Sequence, residues 1–198
     1  NILNTALHPI KAIRGYGIKK FINNEIIPLD FNFSINGEQW YPNYTIHLIG
    51  NGMTSRKLSE WYSAHNYHYP IFYGIFTSMT FHLLNEVMEN EDYIGYNLDA
   101  LADLYIFDLA GIILFRSDNV CKFFSDRLNL ADWSLQPAIK FNNFEIHNQG
   151  QYYSMKLKIP FKNKLYLFSS FGLDGLFGLS YKLNNNNFLS FGYGYIAR

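Results

Sequence analysis

Cysteine is almost missing from this chain of 198 residues: Cys121 stands alone. A single thiol forms no intrachain disulfide and completes no zinc pattern that needs two or more cysteines. The disulfide-stapled scaffold and the cysteine-based zinc module are therefore both excluded. Charge is scarce as well. Asp, Glu, Lys and Arg make up 16% of the residues, against ~25% in an ordinary soluble domain. The sixteen basic and sixteen acidic residues cancel. A neutral chain leaves no basic footprint, so no nucleic-acid partner is expected. Long apolar runs are missing too. Tyr69 to Phe81 is uncharged for only thirteen residues, and Leu104 to Phe115 is interrupted by Asp108. Both fall short of the ~18 to 20 apolar residues that a membrane-spanning helix requires. The chain begins at Asn1 with no basic segment and no apolar core of a leader, and so reads as a mature or trimmed chain.

Aromatic residues are abundant, at 19% of the chain, with eighteen Phe and sixteen Tyr. In the last third, large residues recur at every second position. Tyr153, Met155 and Leu157 lead into Leu165, Leu167 and Phe171, then Phe177, Leu179 and Tyr181, then Leu189, Phe191, Tyr193 and Tyr195. Ser, Gly and Lys fill many of the positions between them. Successive side chains of a strand point to opposite faces. One face of this sheet is therefore apolar and the other largely small or polar. The links at 162–164, 174–175 and 184–187 are short, as in an up-and-down meander. A membrane barrel turns its aromatics to lipid and its small residues to the lumen, and a soluble barrel does the reverse. Low charge and high aromatic content favour lipid, so the large series is expected to face it.

Four zones divide the chain. Residues 1–27 hold an N-terminal amphipathic helix, Pro9 to Ile26. Ile10, Ile13, Ile18, Phe21 and Ile22 lie near one stripe, with Lys11, Arg14, Lys19 and Lys20 outside it. Such a helix suits a membrane interface or the face of a sheet equally well, and Gly15 and Gly17 weaken it. Residues 28–52 read as a first hairpin. Leu29, Phe31, Phe33 and Ile35 alternate, Asn36-Gly37 turns, and Trp40 to Gly50 returns. Residues 53–130 have helical periodicity. Thr54 or Ser55 caps a helix to about Asn66, Pro70 opens one to about Glu89, Asn97 caps one to about Phe115, and Ser117 or Asp118 caps the last. Residues 131–198 are the strands. Together these predict a mainly β fold with a helical insertion: an antiparallel up-and-down transmembrane β-barrel of about eight strands plus a helical cap.

One group of residues carries chemistry. His82, Asn85, Glu86 and Glu89 share a narrow arc of an otherwise apolar helix. Asp99 and Asp103 share a face of the next, while Asp108 points away at regular helical spacing. If these helices form an antiparallel hairpin, His82, Glu86, Glu89, Asp99 and Asp103 converge, as an acid–base pair or a cation site requires. Structural pairing with Arg14, Arg56, Arg116 or Arg127 is favoured over both. His82-x-x-x-Glu86 is not the Glu-x-x-His of di-metal bundles. Neither a metal nor a cofactor is therefore expected, and catalysis is not the leading reading. His65 and His68 lack a third ligand nearby, and His47 sits between apolar neighbours on the second strand. The chain contains neither a Gly-x-Ser-x-Gly elbow nor a phosphate-binding Walker spacing.

Two stretches add a resemblance. One runs from Tyr41 through Pro-Asn-Tyr-Thr-Ile-His-Leu-Ile-Gly-Asn-Gly to Met53. The other comprises Phe81-His-Leu-Leu-Asn-Glu86, Asn97-Leu-Asp-Ala-Leu-Ala-Asp103 and Asp108-Leu-Ala-Gly111. Followed by a run of strands, this order resembles uncharacterised outer-membrane β-barrel proteins of Gram-negative bacteria, particularly the Bacteroidota, over residues 40–198. The resemblance implies a location in the bacterial outer membrane, with its lipid and other outer-membrane proteins as partners. It carries over no catalytic residue. The leading expectation is a non-enzymatic accessory subunit of an outer-membrane assembly. One alternative is a lipid- or lipopolysaccharide-modifying enzyme using His82 and Glu86. Another is a soluble barrel holding an apolar ligand.

Overall fold

The computed structural model of the chain describes residues 2–27, 42–89, 98–140, 144–148, 150–172, 174–185 and 187–196. The first strand of the expected hairpin and its Asn36-Gly37 turn lie outside these residues. The chain divides into two compact units, Asn1–Arg116 and Ser117–Arg198.

The first unit is helical. Helix α1 (Ile2–Leu7) is followed by α2 (Pro9–Tyr16) and α3 (Ile18–Phe21), which runs on as a π-helical segment, Ile22–Ile26. Gly17 breaks the rod, with a φ of 104° that an L side chain rarely adopts. Helix α4 (Asn43–Asn51) is π-helical and continues directly into α5 (Gly52–Ala64). Helix α6 (Pro70–Glu89) begins at the proline that the sequence marks as a start. Helix α7 (Asp99–Ala102) passes through a π segment, Asp103–Phe107, into α8 (Asp108–Leu114). The apolar core joins Ala12 and Phe21 to Leu98, Leu101, Ala102 and Phe107, with Tyr44 and Leu48 packed against it.

In the second unit, α9 (Asp118–Lys122) leads through a π segment, Phe123–Arg127, to the strands. Strands β1 (Ala131–Asp132), β4 (Tyr153–Lys158), β5 (Leu165–Phe171), β6 (Asp174–Lys182) and β7 (Phe188–Ile196) form one antiparallel sheet in the order β1-β4-β5-β6-β7. Strands β2 (Pro137–Lys140) and β3 (Glu145–Asn148) form a separate two-stranded ribbon. The register sets Leu157 beside Leu167, Leu167 beside Leu179, and Leu179 beside Phe191. One row of large side chains thus crosses four strands. All four residues are exposed, whereas Ser154, Ser170 and Ser180 of the opposite face are buried.

The expected fold is therefore corrected. More than half of the chain is helical, and the five-stranded sheet does not close. A mainly β transmembrane barrel of about eight strands does not form, and no helix among the described residues is long and apolar enough to cross a membrane. The error begins at Trp40 to Gly50. Tyr44, Ile46 and Leu48 alternate as in a strand, but Tyr44 and Leu48 also lie four residues apart. Short apolar runs satisfy both periods. Tertiary contact decides between them: Tyr44 meets Phe107 edge-on at 4.8 Å, and its hydroxyl donates to the Ile26 carbonyl.

Helices α4 and α8 approach at backbone distance. A Cβ on Gly111 would run into the carbonyl of Leu48 and sit 3.2 Å from that of His47, and one on Gly52 would meet the Gly111 carbonyl. Gly111→Ala should therefore force the two helices apart, at a cost of about 1–3 kcal/mol, read from equilibrium urea denaturation.

Candidate metal centre in the helical unit

Helix α6 is built inside out. Gly74, Ser78, His82 and Glu86 recur every fourth residue and line one face. All four are buried, His82 to 2% exposure. The rest of its surface shows Phe72, Phe76, Leu84, Val87 and Met88, all exposed. Small residues allow the close approach to α5: a Cβ on Gly74 would strike Ser59 and the Ser55 carbonyl. The hydroxyl of Ser59 donates to that same carbonyl, so it adds no unpaired donor to the contact.

Three chain segments deliver side chains to one point. Helix α4 supplies His47, α6 supplies His82 and Glu86, and the α7–α8 segment supplies Asp103 and Asp108. Asp108 is fully buried. Its Oδ1 lies 3.1 Å from Nδ1 of His47, and its Oδ2 lies 3.1 Å from Nδ1 of His82. The two Nδ1 atoms are 3.2 Å apart, and the rings meet at right angles. On the far side of the His47 ring, Nε2 faces Oδ2 of Asp103 at 3.5 Å. Asp103 is also buried, and its Oδ1 accepts no hydrogen bond. Potential ligand atoms fall into two sets that share His47: His47, His82 and Asp108 in one, His47, Glu86 and Asp103 in the other. Within each set they lie within 4.8 Å of one another.

The charge state is set by burial and neighbours. Burial pushes Asp108 upward, but the hydrogen bonds and charges of His47 and His82 outweigh it, and its pKa falls below the usual carboxylate value. Burial lowers the pKa of His47, yet the bond and charge of Asp108, with Glu86 and Asp99 behind them, raise it on balance. Asp103 is pushed up to about 11, first by burial and then by the negative charges of Asp99, Glu86, Asp108 and Glu25. Burial and the surrounding negative charge thus favour its neutral form, with Nε2 of His47 3.5 Å away. Two of the four arginines expected as partners are engaged elsewhere. Arg56 pairs with Glu60, and Arg116 donates to Ser59 Oγ.

Of the residues singled out in the sequence, the structure brings His82, Glu86 and Asp103 together. Asp99 belongs to the same electrostatic cluster, next to Glu25. Glu89 closes α6, and its side chain lies outside the described residues. His47 and Asp108 are the two that sequence reasoning passes over. At regular spacing Asp108 sits roughly 140° around the helix from Asp103. The π segment corrects this: the Asp108 amide donates to the Asp103 carbonyl, five residues back, and the wider turn restores both carboxylates to one side. His47 lies in the other π-helical stretch of the site, not on the strand expected there. Of the series expected to face lipid, Leu157, Leu167, Phe177, Leu179, Tyr181, Leu189, Phe191 and Tyr193 are exposed. Met155 and Leu165 are half-buried, Tyr153 and Phe171 are buried, and the Tyr195 side chain is not among those described.

No family model matches the chain, and no curated protein or solved structure matches it either. The geometry of this cluster is therefore what bears on function.

Glu25 gives the cluster a measurable pH response. Burial, and then the charge and hydrogen bond of Asp99, raise its pKa from 4.5 to about 7. A carboxyl raised in the folded state binds protons more tightly there than in the unfolded chain. Its contribution to stability is therefore complete below pH 4.5 and is lost as pH rises through about 7. Glu25→Gln should match the natural chain in acid and exceed its stability above neutrality by about 1–3 kcal/mol. Urea denaturation across that pH range measures the difference.

Proposed function

We propose that the helical unit is a metal centre of the two-histidine, one-carboxylate kind, held by His47, His82 and Asp108, and that the protein is a metal-dependent hydrolase. The observation that carries this reading is the triangle of two Nδ1 atoms and the Asp108 carboxylate, with separations of 3.1 to 3.2 Å. Ligand atoms around an ion at about 2.1 Å stand roughly 3.0–3.4 Å apart. Without an ion, the two Nδ1 atoms share a hydrogen bond whose direction depends on the tautomer. Supporting this is the far side of His47, where Nε2 faces a carboxyl group. A ring nitrogen turned to a carboxyl partner is what orients a metal-bound imidazole. Charge adds to it: a dication offsets the buried carboxyls that drive Asp103 upward. Imidazole and carboxylate donors suit zinc, iron, cobalt or manganese. Three protein ligands leave a position for water, the pattern of hydrolytic rather than closed structural sites. Glu86, one turn from His82, is the nearby group for proton transfer.

A second reading, a non-enzymatic subunit of a membrane assembly, is favoured by one observation: Trp61, Phe72, Phe76 and Phe123 are all exposed. Such a role needs no ion in the cluster.

Metal binding separates the two. After chelation, the chain should take up one zinc or cobalt ion. At a hundredfold excess over its Kd the ion should stabilise the fold by about 2.7 kcal/mol. His82→Ala and Asp108→Asn should abolish uptake, and Asp103→Asn should weaken it roughly 10- to 100-fold. A chain that binds none of zinc, cobalt, iron or manganese, and melts alike with and without them, would sink the metal reading.

A further inference from the structure

The N-terminal helices form a surface that the metal centre does not use. Residues 1–24 contain Lys11, Arg14, Lys19 and Lys20 and neither Asp nor Glu. All four cations are exposed. Ile2, Thr5, Ala12 and Phe21 turn inward and are buried. The outward residues are aliphatic: Leu3, Leu7 at 77% exposure, Ile10 at 67%, Ile18 and Ile22. The four-residue spacing stacks Leu3 with Leu7 and Ile18 with Ile22 on their helix faces. Beside Lys11 opens a small recess lined by Asn4, Thr5, His8, Lys11 and Ala12, rich in hydrogen-bond donors.

We propose that α1 to α3 dock the protein onto an anionic lipid bilayer, lying in its headgroup layer. Two properties of the surface point to this occupant together. A segment carrying four cations and no anion complements a negatively charged surface, and each basic residue near such a surface adds to binding. Exposed aliphatic side chains set among those cations gain only if they leave water, as they do at the acyl boundary. A soluble polyanion such as a nucleic acid meets the first demand and leaves Leu7 and Ile10 in water. A bilayer meets both. The long lysine stems carry their charge to the headgroups while covering apolar surface. The recess beside Lys11 suits a lipid phosphate. No helix among the described residues is long and apolar enough to cross the bilayer, so this contact lies on the membrane rather than spanning it.

Vesicle flotation of the full chain tests this. Vesicles of phosphatidylcholine mixed with phosphatidylglycerol should carry the protein upward, and vesicles of phosphatidylcholine alone should not. Added salt should weaken the binding. Neutralising one cation, as in Lys19→Gln or Lys20→Gln, should lower partitioning roughly fivefold, and reversing it in Lys19→Glu should lower it further. Leu7→Ser with Ile10→Ser should lower it roughly tenfold or more at unchanged lipid charge. Far-UV circular dichroism and zinc uptake should be the same in all these variants, which separates the surface from the metal centre. Equal binding to both kinds of vesicle would overturn the proposal. So would full binding by the Leu7/Ile10 variant, which assigns the surface to a soluble polyanion instead.

Discussion

Asp108 is fully buried, with one oxygen hydrogen-bonded to His47 and the other 3.1 Å from Nδ1 of His82, outside hydrogen-bond geometry. Desolvating a carboxylate costs several kcal/mol unless its oxygens are compensated. The first residue of α8 is therefore stable as an anion only where α4 and α6 bring their histidines. His47 is 61 residues away in sequence, and His82 lies 35 residues beyond His47. The arrangement of the helices is thus conditioned on a polar contact as well as on the apolar core. The packing around it serves the same end. Gly111 and Gly52 let α8 lie backbone to backbone against α4 and the start of α5, and Gly74 does the same for α5 and α6.

Wide helical turns do the local aiming. A π-turn inserts a residue without ending the helix and rotates every later side chain about the axis. One such segment carries His47, and another separates Asp103 from Asp108. The same device appears at Ile22–Ile26, where the segment carries Glu25. Regular helices at these places would scatter the ionisable groups around their axes. The inside-out build of α6 completes the design: small and polar residues face inward, and the aromatics that normally fill a core are left outside.

The helices themselves were legible. Pro70 marks the start of α6, and the apolar spacing places α5 and the α7–α8 segment to within a few residues; the expected cap at Thr54 or Ser55 does not form, because α5 continues from α4 with Asn51 before it and no side-chain cap. Half of the site was legible too. His82 and Glu86 declare a polar stripe on an apolar helix, and Asp103 declares another. What regular periodicity hides is Asp108, since no single-residue signal announces a π-turn. His47 is hidden differently, because its apolar neighbours fit a strand as well as they fit a helix. The barrel expectation failed for a related reason. Exposed aromatic faces and low charge are properties of an apolar exterior, and here helices supply much of that exterior. The alternation in residues 153–196 does form strands, but it specifies faces and not closure.

Strand β7 has a further property. It is nine residues long and stands at the end of the sheet, paired on one side with β6. No described strand covers its other side. It carries neither proline nor a charged residue, the usual devices that keep an open edge from recruiting another strand. Phe191 and Tyr193 flank that edge at 86% and 88% exposure. An open edge of this kind is a template to which another strand can add its own backbone.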